Sequence, residues 1–164
     1  MKKLLPFLVL VLPGMVWLAV ADGGNVEEQN KTIVRRFVEE VQNRHDIGAM
    51  DRFFSVNFIN HTELPGLPSN LDGAKQFHTM FFAAFPDLHA TIHSQVAEGD
   101  KVVTHKTFHG THQGTFMGIP ATGKRISYEV IDILTVVEGM ITEHWVVGDQ
   151  LGLMKQLGVI PTRP

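Results

Sequence analysis

The sequence predicts a single α+β domain in which helices pack on one face of a curved antiparallel sheet. Three observations predict this class. The chain has 164 residues, helical spacing dominates its first half after the N-terminus, and long β-rich runs dominate its second half. A chain of this length is typical of one domain. Helices followed by strands within one core-sized unit are typical of the α+β class.

The N-terminus has the pattern of an export signal. Residues 2–3 are both lysine, residues 4–20 form an uncharged apolar run, and Ala19-Val20-Ala21 supplies a small-x-small cleavage pattern. We therefore expect residues 1–21 to be a cleaved signal peptide. The mature protein would then be periplasmic or extracellular, without a membrane segment. The alternative is an uncleaved anchor, for which this run, broken by two prolines and a glycine, is short.

Helical segments are predicted ahead of the strands. Residues 22–29 are polar and contain two glycines, so we interpret them as a linker. Residues 30–42 place apolar side chains at three- and four-residue spacing, which predicts the first helix. Residues 50–54 predict a short helical turn. A further helix follows Asn70 or Asp72, either of which is a suitable N-cap, and it ends at a proline.

The second half of the chain predicts an antiparallel sheet and a last helix. Its β-rich runs cover residues 88–98, 101–112, 125–137 and 140–147. Short turns such as Glu138-Gly139 join neighbouring runs, so successive strands are expected to pair antiparallel. Residues 150–157 predict the final helix, with Asp149 as its N-cap. A strongly bent sheet that folds around helices leaves a concave pocket with apolar walls.

The composition excludes several classes of function. The chain contains no cysteine, which excludes a disulfide framework, a thiolate metal site and a cysteine nucleophile. A formal net charge of −3 gives no basic surface for nucleic acid. The sequence also has neither a phosphate-binding glycine loop with its lysine nor a Gly-x-Ser-x-Gly nucleophile motif.

Nine histidines raise the hypothesis of a metal site. His105 and His109 would share one face of a strand, and His89 and His93 could align with them across a hairpin. Four imidazoles would suit zinc or copper. However, no acidic ligand is spaced with them, and histidines also occur on ordinary exposed sheet faces. We therefore expect no metal site.

Several segments together resemble one protein family. They are Phe58-Ile59-Asn60-His61, residues 114–125 (GTFMGIPATGKR), residues 138–145 (EGMITEHW) and residues 153–158 (LMKQLG). With this order of elements, the chain resembles the SnoaL-like polyketide cyclases, or ester cyclases, of the nuclear transport factor 2-like superfamily. The resemblance implies a cone-shaped α+β barrel, and we place the SnoaL-like domain at residues 30–160.

The resemblance also implies a function. Characterised members of this family bind a bulky, mostly apolar polyketide ester and close a ring by an intramolecular aldol reaction, without metal or organic cofactor. Homodimers are common in the family, usually through the open sheet face. An acidic residue on the last strand usually transfers the proton, and a histidine on the preceding strand lies near it. A gap-free match puts Val146 at the position of the acid and Asp132 at that of the histidine.

Because valine cannot carry a proton, two functions stay open. The first is an exported, cofactor-free cyclase or isomerase that binds an apolar or polyketide-like molecule and uses acid–base proton transfer. The second is a secreted, non-catalytic module that binds a small molecule and has lost the acid. The expected partner in both cases is a small-molecule ligand, with neither nucleic acid nor membrane.

Asp132 and His144 are the candidate catalytic residues. Asp132 lies in an apolar strand, where desolvation would raise the pKa of its carboxyl toward that of a usable base. The alternative is a buried aspartate satisfied by the backbone or by an arginine. His144 would share its face if the loop at Glu138-Gly139 has three residues, whereas a two-residue loop would align His144 with Ile133. A surface or dimer-face histidine is the alternative.

Five residues are candidate substrate contacts: Asn60, His61, Tyr128, Val146 and Asp149. Asn60 and His61 follow a short extended segment beside the expected pocket mouth and can orient a carbonyl group. Turn capping is the alternative for His61, sheet packing for Tyr128, and helix capping for Asp149.

Overall fold

The α+β class is confirmed by the computed structural model, which describes residues 23–62 and 64–161. The helices are α1 (Gly23–Phe37), α2 (Met50–Phe53), α3 (Leu71–Ala84) and α4 (Gln150–Leu157). A π-helical turn (Val38–Asn43) and a 3-10 turn (Ile47–Ala49) connect α1 to α2. The strands are β1 (Phe54–Asn60), β2 (His89–Glu98), β3 (Lys101–Thr111), β4 (Arg125–Val137) and β5 (Met140–Gly148).

Helix α1 begins at Gly23, so the interpretation of residues 22–29 as a linker is wrong for the described part of that segment. Two side-chain contacts are made within this segment. Thr32 Oγ1 donates a hydrogen bond to the Glu28 carbonyl at 2.9 Å, and the Glu27 carboxylate accepts one from the Gly99 backbone N–H at 3.0 Å. The helix is therefore tied to the turn between β2 and β3.

The expected signal peptide, residues 1–21, lies outside the described residues. Within residues 23–62 and 64–161, no helix is long and apolar enough to cross a membrane.

The five strands form one sheet in the order β1-β5-β4-β3-β2. Strands β2 to β5 form the predicted antiparallel meander, whereas β1 pairs with β5 in parallel at the sheet edge. The prediction of a wholly antiparallel sheet is therefore corrected at this one strand. Because α3 and three strands separate β1 from β5 along the chain, no hairpin constrains the direction of their pairing.

The β4–β5 hairpin determines which side chains share a face. Glu138 and Gly139 both have positive φ (50° and 81°), and Val137 pairs with Met140, so the loop has two residues rather than the expected three. A bulge at Thr142 then shifts the register by one residue. As a result Asp132 lies opposite Val146, and Leu134 lies opposite His144. The predicted common face of Asp132 and His144 is confirmed, although the bulge and not the loop length produces it.

The core lies between the helices and the inner face of the sheet. Phe81 of α3 packs against three other phenylalanine rings at centroid distances of 5.4 Å; these are Phe85, Phe108 and Phe116. On the other side, the Phe37 ring contacts the Phe54 ring edge-to-face at 5.1 Å. All of these rings except that of Phe85 line an internal cavity.

Candidate active site

A cavity of about 210 Å³ lies between the inner face of the sheet and helix α3. Its walls are mostly aromatic and aliphatic. The side chains with polar groups that line it are Gln42, Asn60, Thr62, His78, Lys106, Tyr128, Asp132, His144 and Gln150. A mainly apolar cavity with a limited number of polar groups is typical of a small-molecule site.

Asp132 and Lys106 form a buried ion pair on the cavity wall. Strands β3 and β4 pair so that Thr104 lies opposite Asp132 and Lys106 opposite Val130, which places the two charged residues diagonally on one face. Lys106 Nζ contacts Asp132 Oδ2, and the two residues are 1% and 5% exposed. Lys106 Nζ also donates a hydrogen bond to Gln42 Oε1 at 3.0 Å.

This pairing keeps the Asp132 carboxyl ionised. Burial alone would raise the pKa of Asp132, but the Lys106 charge and the hydrogen bond from His144 outweigh it and hold the pKa well below its ordinary value of 3.8. The expectation of a raised pKa is therefore wrong, because it did not include a lysine partner. An ionised carboxylate of this kind is a poor base near neutral pH, but it can orient and stabilise a neighbouring imidazole.

His144 is the imidazole that Asp132 orients. His144 Nε2 lies 3.1 Å from Asp132 Oδ1, and His144 is half-buried at the cavity wall. Because an ionised carboxylate only accepts hydrogen bonds, Nε2 carries the proton and Nδ1 of the neutral ring keeps its lone pair. Nδ1 has no hydrogen-bond partner among the described residues. His144 thus has the arrangement of a general base supported by a carboxylate.

Asn60 and Tyr128, two of the candidate substrate contacts, line the cavity and add hydrogen-bond donors to it. Asn60 Oδ1 accepts from the Thr62 backbone N–H at 3.1 Å, which leaves its Nδ2 group available. Tyr128 Oη accepts from Gln150 Nε2 at 2.6 Å, so its own proton remains available. Burial and the charge of Asp132 raise the pKa of Tyr128, which keeps the phenol protonated.

Val146 also lines the cavity, at the position where the family resemblance implies an acid. Its backbone N–H donates to Thr62 Oγ1 at 2.9 Å, which fixes the segment after β1 against β5. The side chain contributes apolar wall area next to His144.

Two predicted substrate contacts do not line the cavity. The His61 ring stacks on Trp145 at a centroid distance of 4.2 Å, and its Nε2 lies 3.4 Å from Glu143 Oε1. Trp145 and Glu143 alternate with His144 along β5, so His61 belongs to the outer face of the sheet. Asp149 is the N-cap of α4, and its Oδ1 accepts from the Gly152 N–H at 2.8 Å. The alternative interpretation of Asp149 as a helix cap is confirmed.

The sequence interpretation missed Lys106, Gln42 and His78. A signal for Lys106 was present, because Val102, Thr104 and Phe108 share its strand parity and all are buried. A buried charge requires a partner of opposite charge, so an inward-facing Lys106 and a buried Asp132 could have been paired from the sequence. Gln42 and His78 depend on how the helices lie over the sheet, which spacing within one helix does not specify.

The histidines of β2 and β3 align partly as the metal hypothesis proposed. His89 lies opposite His109, and a bulge brings the rings of His93 and His105 to a centroid distance of 4.8 Å. However, His105 Nε2 lies 2.5 Å from Glu129 Oε1, and His93 Nε2 contacts Thr107 Oγ1 at 2.7 Å. In the described part of the chain, no three histidine or acidic residues are grouped so that they could hold a metal ion.

The fold and cavity define a small-molecule-binding protein of the cyclase type. Residues 32–157 match the SnoaL-like polyketide cyclase family, and the chain belongs to this family. It is 30% identical over 130 residues to aklanonic acid methyl ester cyclase DnrD of Streptomyces peucetius, with 77% of this chain and 88% of DnrD covered. It is also 30% identical over 130 residues to aklanonic acid methyl ester cyclase DauD of Streptomyces sp. (strain C5), with 77% and 80% covered.

Solved structures support the fold. TsrD from Streptomyces laurentii matches with a TM-score of 0.74 and 29% identity, covering 81% of this chain and 97% of TsrD. A SnoaL-like polyketide cyclase from Agrobacterium tumefaciens is 22% identical, with a TM-score of 0.66 over 79% and 98% of the two chains, and it shows the fold alone. The family match and the two curated relatives confirm the family resemblance, and the solved structures confirm the predicted fold class.

Proposed function

We propose that this protein is a cofactor-free cyclase or isomerase that moves a proton between carbon and oxygen of a polyketide-like carbonyl compound. The observation that carries the proposal is the hydrogen-bonded chain from Gln42 through Lys106 and Asp132 to His144, on the wall of an otherwise apolar cavity. Such a chain combines a base, an orienting carboxylate and a fixed positive charge.

In the proposed reaction, His144 Nδ1 removes a proton from a carbon next to the substrate carbonyl groups. The carbanion attacks a second carbonyl carbon, a carbon–carbon bond forms, and the electron pair of that carbonyl moves onto its oxygen. The oxygen then takes the proton back from His144. The product is an isomer of the substrate, so the reaction needs no external oxidant, reductant or cofactor.

The other polar groups stabilise the charges that this sequence creates. Asp132 stabilises the His144 imidazolium, as carboxylates do in related acid–base pairs. Lys106 Nζ, Asn60 Nδ2 and the Tyr128 hydroxyl are donors suited to a developing enolate or alkoxide. The apolar walls exclude water and hold the two ends of the substrate together.

The test uses a polyketide ester of the kind named for the two relatives. Aklanonic acid methyl ester is incubated with the protein, and an isomeric product is followed by liquid chromatography with mass detection. We expect turnover by the native chain, and a loss of about 10²–10⁴-fold in kcat for His144→Phe with little change in KM. His61→Phe is the matched control, because His61 lies on the other face of the sheet and its loss leaves the cavity unchanged.

The second candidate function is a non-catalytic binding module. Val146 favours it, because the family's acid position is occupied by a side chain that cannot transfer a proton. This alternative predicts that the ester binds to the native chain and is recovered unchanged. Turnover that depends on His144 contradicts it.

Export is part of the proposal, and it rests on the signal-like residues 1–21. We expect a bacterial host that expresses the full chain to release a protein that begins at Asp22, identified by N-terminal sequencing of the periplasmic or extracellular fraction. A full-length protein found in the membrane fraction would contradict cleavage.

Self-association with a second copy is also proposed. Ile131 and Val147 pair across β4 and β5 on the outer face and are 47% and 76% exposed, which is unusual for large apolar side chains at the centre of a sheet. Family members commonly dimerise through this face. We expect a dimer in sedimentation experiments and a monomer for Val147→Glu. A native chain that stays monomeric at high concentration would contradict the proposal.

A further inference from the structure

His78 of helix α3 is a cavity residue to which the proposed proton transfer gives no role. It is half-buried and lines the cavity. Its ring meets the rings of Phe37 and Phe77 edge-to-face, at centroid distances of 6.1 and 5.8 Å, and that of Phe82 at 5.7 Å. Three phenylalanines therefore hold one imidazole in a fixed orientation.

The hydrogen bond within α3 specifies the tautomer of His78. Its Nδ1 lies 2.9 Å from the carbonyl oxygen of Ala74, one helical turn earlier. Because a carbonyl oxygen only accepts, Nδ1 must carry the proton. In the neutral ring, Nε2 then has a lone pair and no proton, so it can only accept a hydrogen bond.

This Nε2 has no partner within residues 23–62 and 64–161. It is also not sealed in the core: among the described residues, the fully buried side-chain atoms without a partner are Gln95 Oε1 and His112 Nε2. Nε2 of His78 therefore keeps accessible surface, and the residue lines the cavity.

The ring stays neutral at physiological pH. Burial, together with the positive charge of Lys106, lowers the pKa of His78 to about 4. The cavity thus combines an acceptor on α3 with donors on other elements, namely Lys106 Nζ, Asn60 Nδ2 and the Tyr128 hydroxyl.

We propose that His78 is a specificity residue, whose Nε2 accepts a hydrogen bond from a hydroxyl group of the bound molecule. The cavity would therefore select an aromatic or enolic compound with a free hydroxyl over the same compound as its methyl ether. An ether oxygen has no proton to donate and leaves Nε2 desolvated without a partner. This inference rests on the proposed function of the cavity as a ligand site.

The test compares 2-naphthol with 2-methoxynaphthalene, which share one apolar ring system and differ only in the hydroxyl proton. Affinities are measured by isothermal titration calorimetry with the native protein. We expect 2-naphthol to bind about tenfold more tightly, which corresponds to one hydrogen bond of ordinary strength. In His78→Phe, we expect this preference to disappear while the affinity for the ether changes less than twofold.

The matched control is His109→Phe, which changes an exposed histidine on β3 and should keep the tenfold preference. A second readout does not depend on a variant. The ¹⁵N resonance of His78 Nε2 in the native protein should move when 2-naphthol is added and stay in place with the ether. This readout applies even if His78→Phe does not fold.

The outcomes separate this inference from the proposed function. Equal affinity of the native protein for both compounds, or a preference that persists in His78→Phe, overturns the role of His78 but leaves the cavity as a binding site. Binding of neither compound overturns the inference, whereas the proposed proton transfer is tested separately by turnover of the polyketide ester.

Discussion

Lys106 on β3 and Asp132 on β4 form an ion pair that is almost completely removed from solvent, diagonally across two neighbouring strands. This pair determines the chemistry of the cavity. It keeps a carboxylate ionised beside His144, and it places a positive charge where a substrate oxygen can approach. In the proposed reaction, His144 therefore carries the acid–base function, and Asp132 supports it.

The first prediction concerns the stability contributed by this pair. Lys106→Met leaves the buried Asp132 carboxyl without its counter-ion, so we expect the free energy of unfolding to fall by about 3–5 kcal/mol. Urea denaturation of the native and variant chains measures it. The double variant Lys106→Met, Asp132→Leu removes both charges and should recover most of the loss. A single variant within about 1 kcal/mol of the native chain would contradict the buried pair.

The second prediction concerns the tautomer of His144. The ionised Asp132 carboxylate holds the proton on Nε2. Asp132→Asn replaces one acceptor oxygen with a donor amide, so we expect the proton to shift in part to Nδ1 and kcat to fall more than KM rises. Two-bond ¹H–¹⁵N spectra of the histidine rings report the tautomer directly. An unchanged His144 spectrum in Asp132→Asn would show that the carboxylate does not orient this ring.

The third prediction is a loss of stability on mild acidification. The pKa of His78 is lowered to about 4 in the folded chain, against about 6.5 for the free residue. The unfolded chain therefore binds this proton at higher pH, and stability is lost as the pH falls from about 6.5 to 4. The shift corresponds to a loss of up to about 3 kcal/mol.

In His78→Phe, the free energy of unfolding should depend less on pH over this range. Burial also lowers the pKa of His112, which acts in the same direction and remains in the variant. The low pKa of Asp132 affects stability only below about pH 3.8. The contributions of His78 and Asp132 to the pH dependence of stability therefore fall in different pH ranges. A native chain with constant stability between pH 6.5 and 4 would contradict the lowered pKa of His78 in the folded chain.

The fourth prediction concerns Gly148 at the end of β5. A Cβ atom here would collide with the phenol ring of Tyr128. We expect Gly148→Ala to displace Tyr128, break its 2.6 Å hydrogen bond with Gln150 and lower the stability by about 1–3 kcal/mol. Thermal unfolding measures the loss of stability, and binding of 2-naphthol reports the displacement of Tyr128 in the cavity. The control is Gly48→Ala, whose Cβ would meet Asp46 Oδ1 at 3.3 Å.

The spacing of apolar residues and the turn residues predicted most of the helices and strands, but not all of their boundaries and pairings. The apolar periods predicted α3, α4 and the β2–β5 meander, because these patterns are local. The predicted start of α1 was wrong, because a tertiary contact from Glu27 to Gly99 holds the polar first turns of this helix. The parallel pairing of β1 depends on contacts distant in sequence, which no local pattern encodes.

The sequence predicted which residues line the candidate site better than it predicted the chemistry of those residues. Asp132, His144, Asn60, Tyr128 and Val146 all line the cavity, since strand parity and the family resemblance place them on one face. The protonation state of Asp132 could not be predicted without Lys106, because a pKa depends on the nearest charge in space.

The titration of the Asp132 carboxyl tests the central claim most directly. The side-chain carboxyl carbon is followed by ¹³C NMR as the pH is lowered, with Asp132→Asn to assign its signal. The proposed role of His144 as the base predicts an Asp132 carboxylate that stays ionised well below pH 3.8, for as long as the chain is folded. A titration near neutral pH would contradict it and would make Asp132 itself the base.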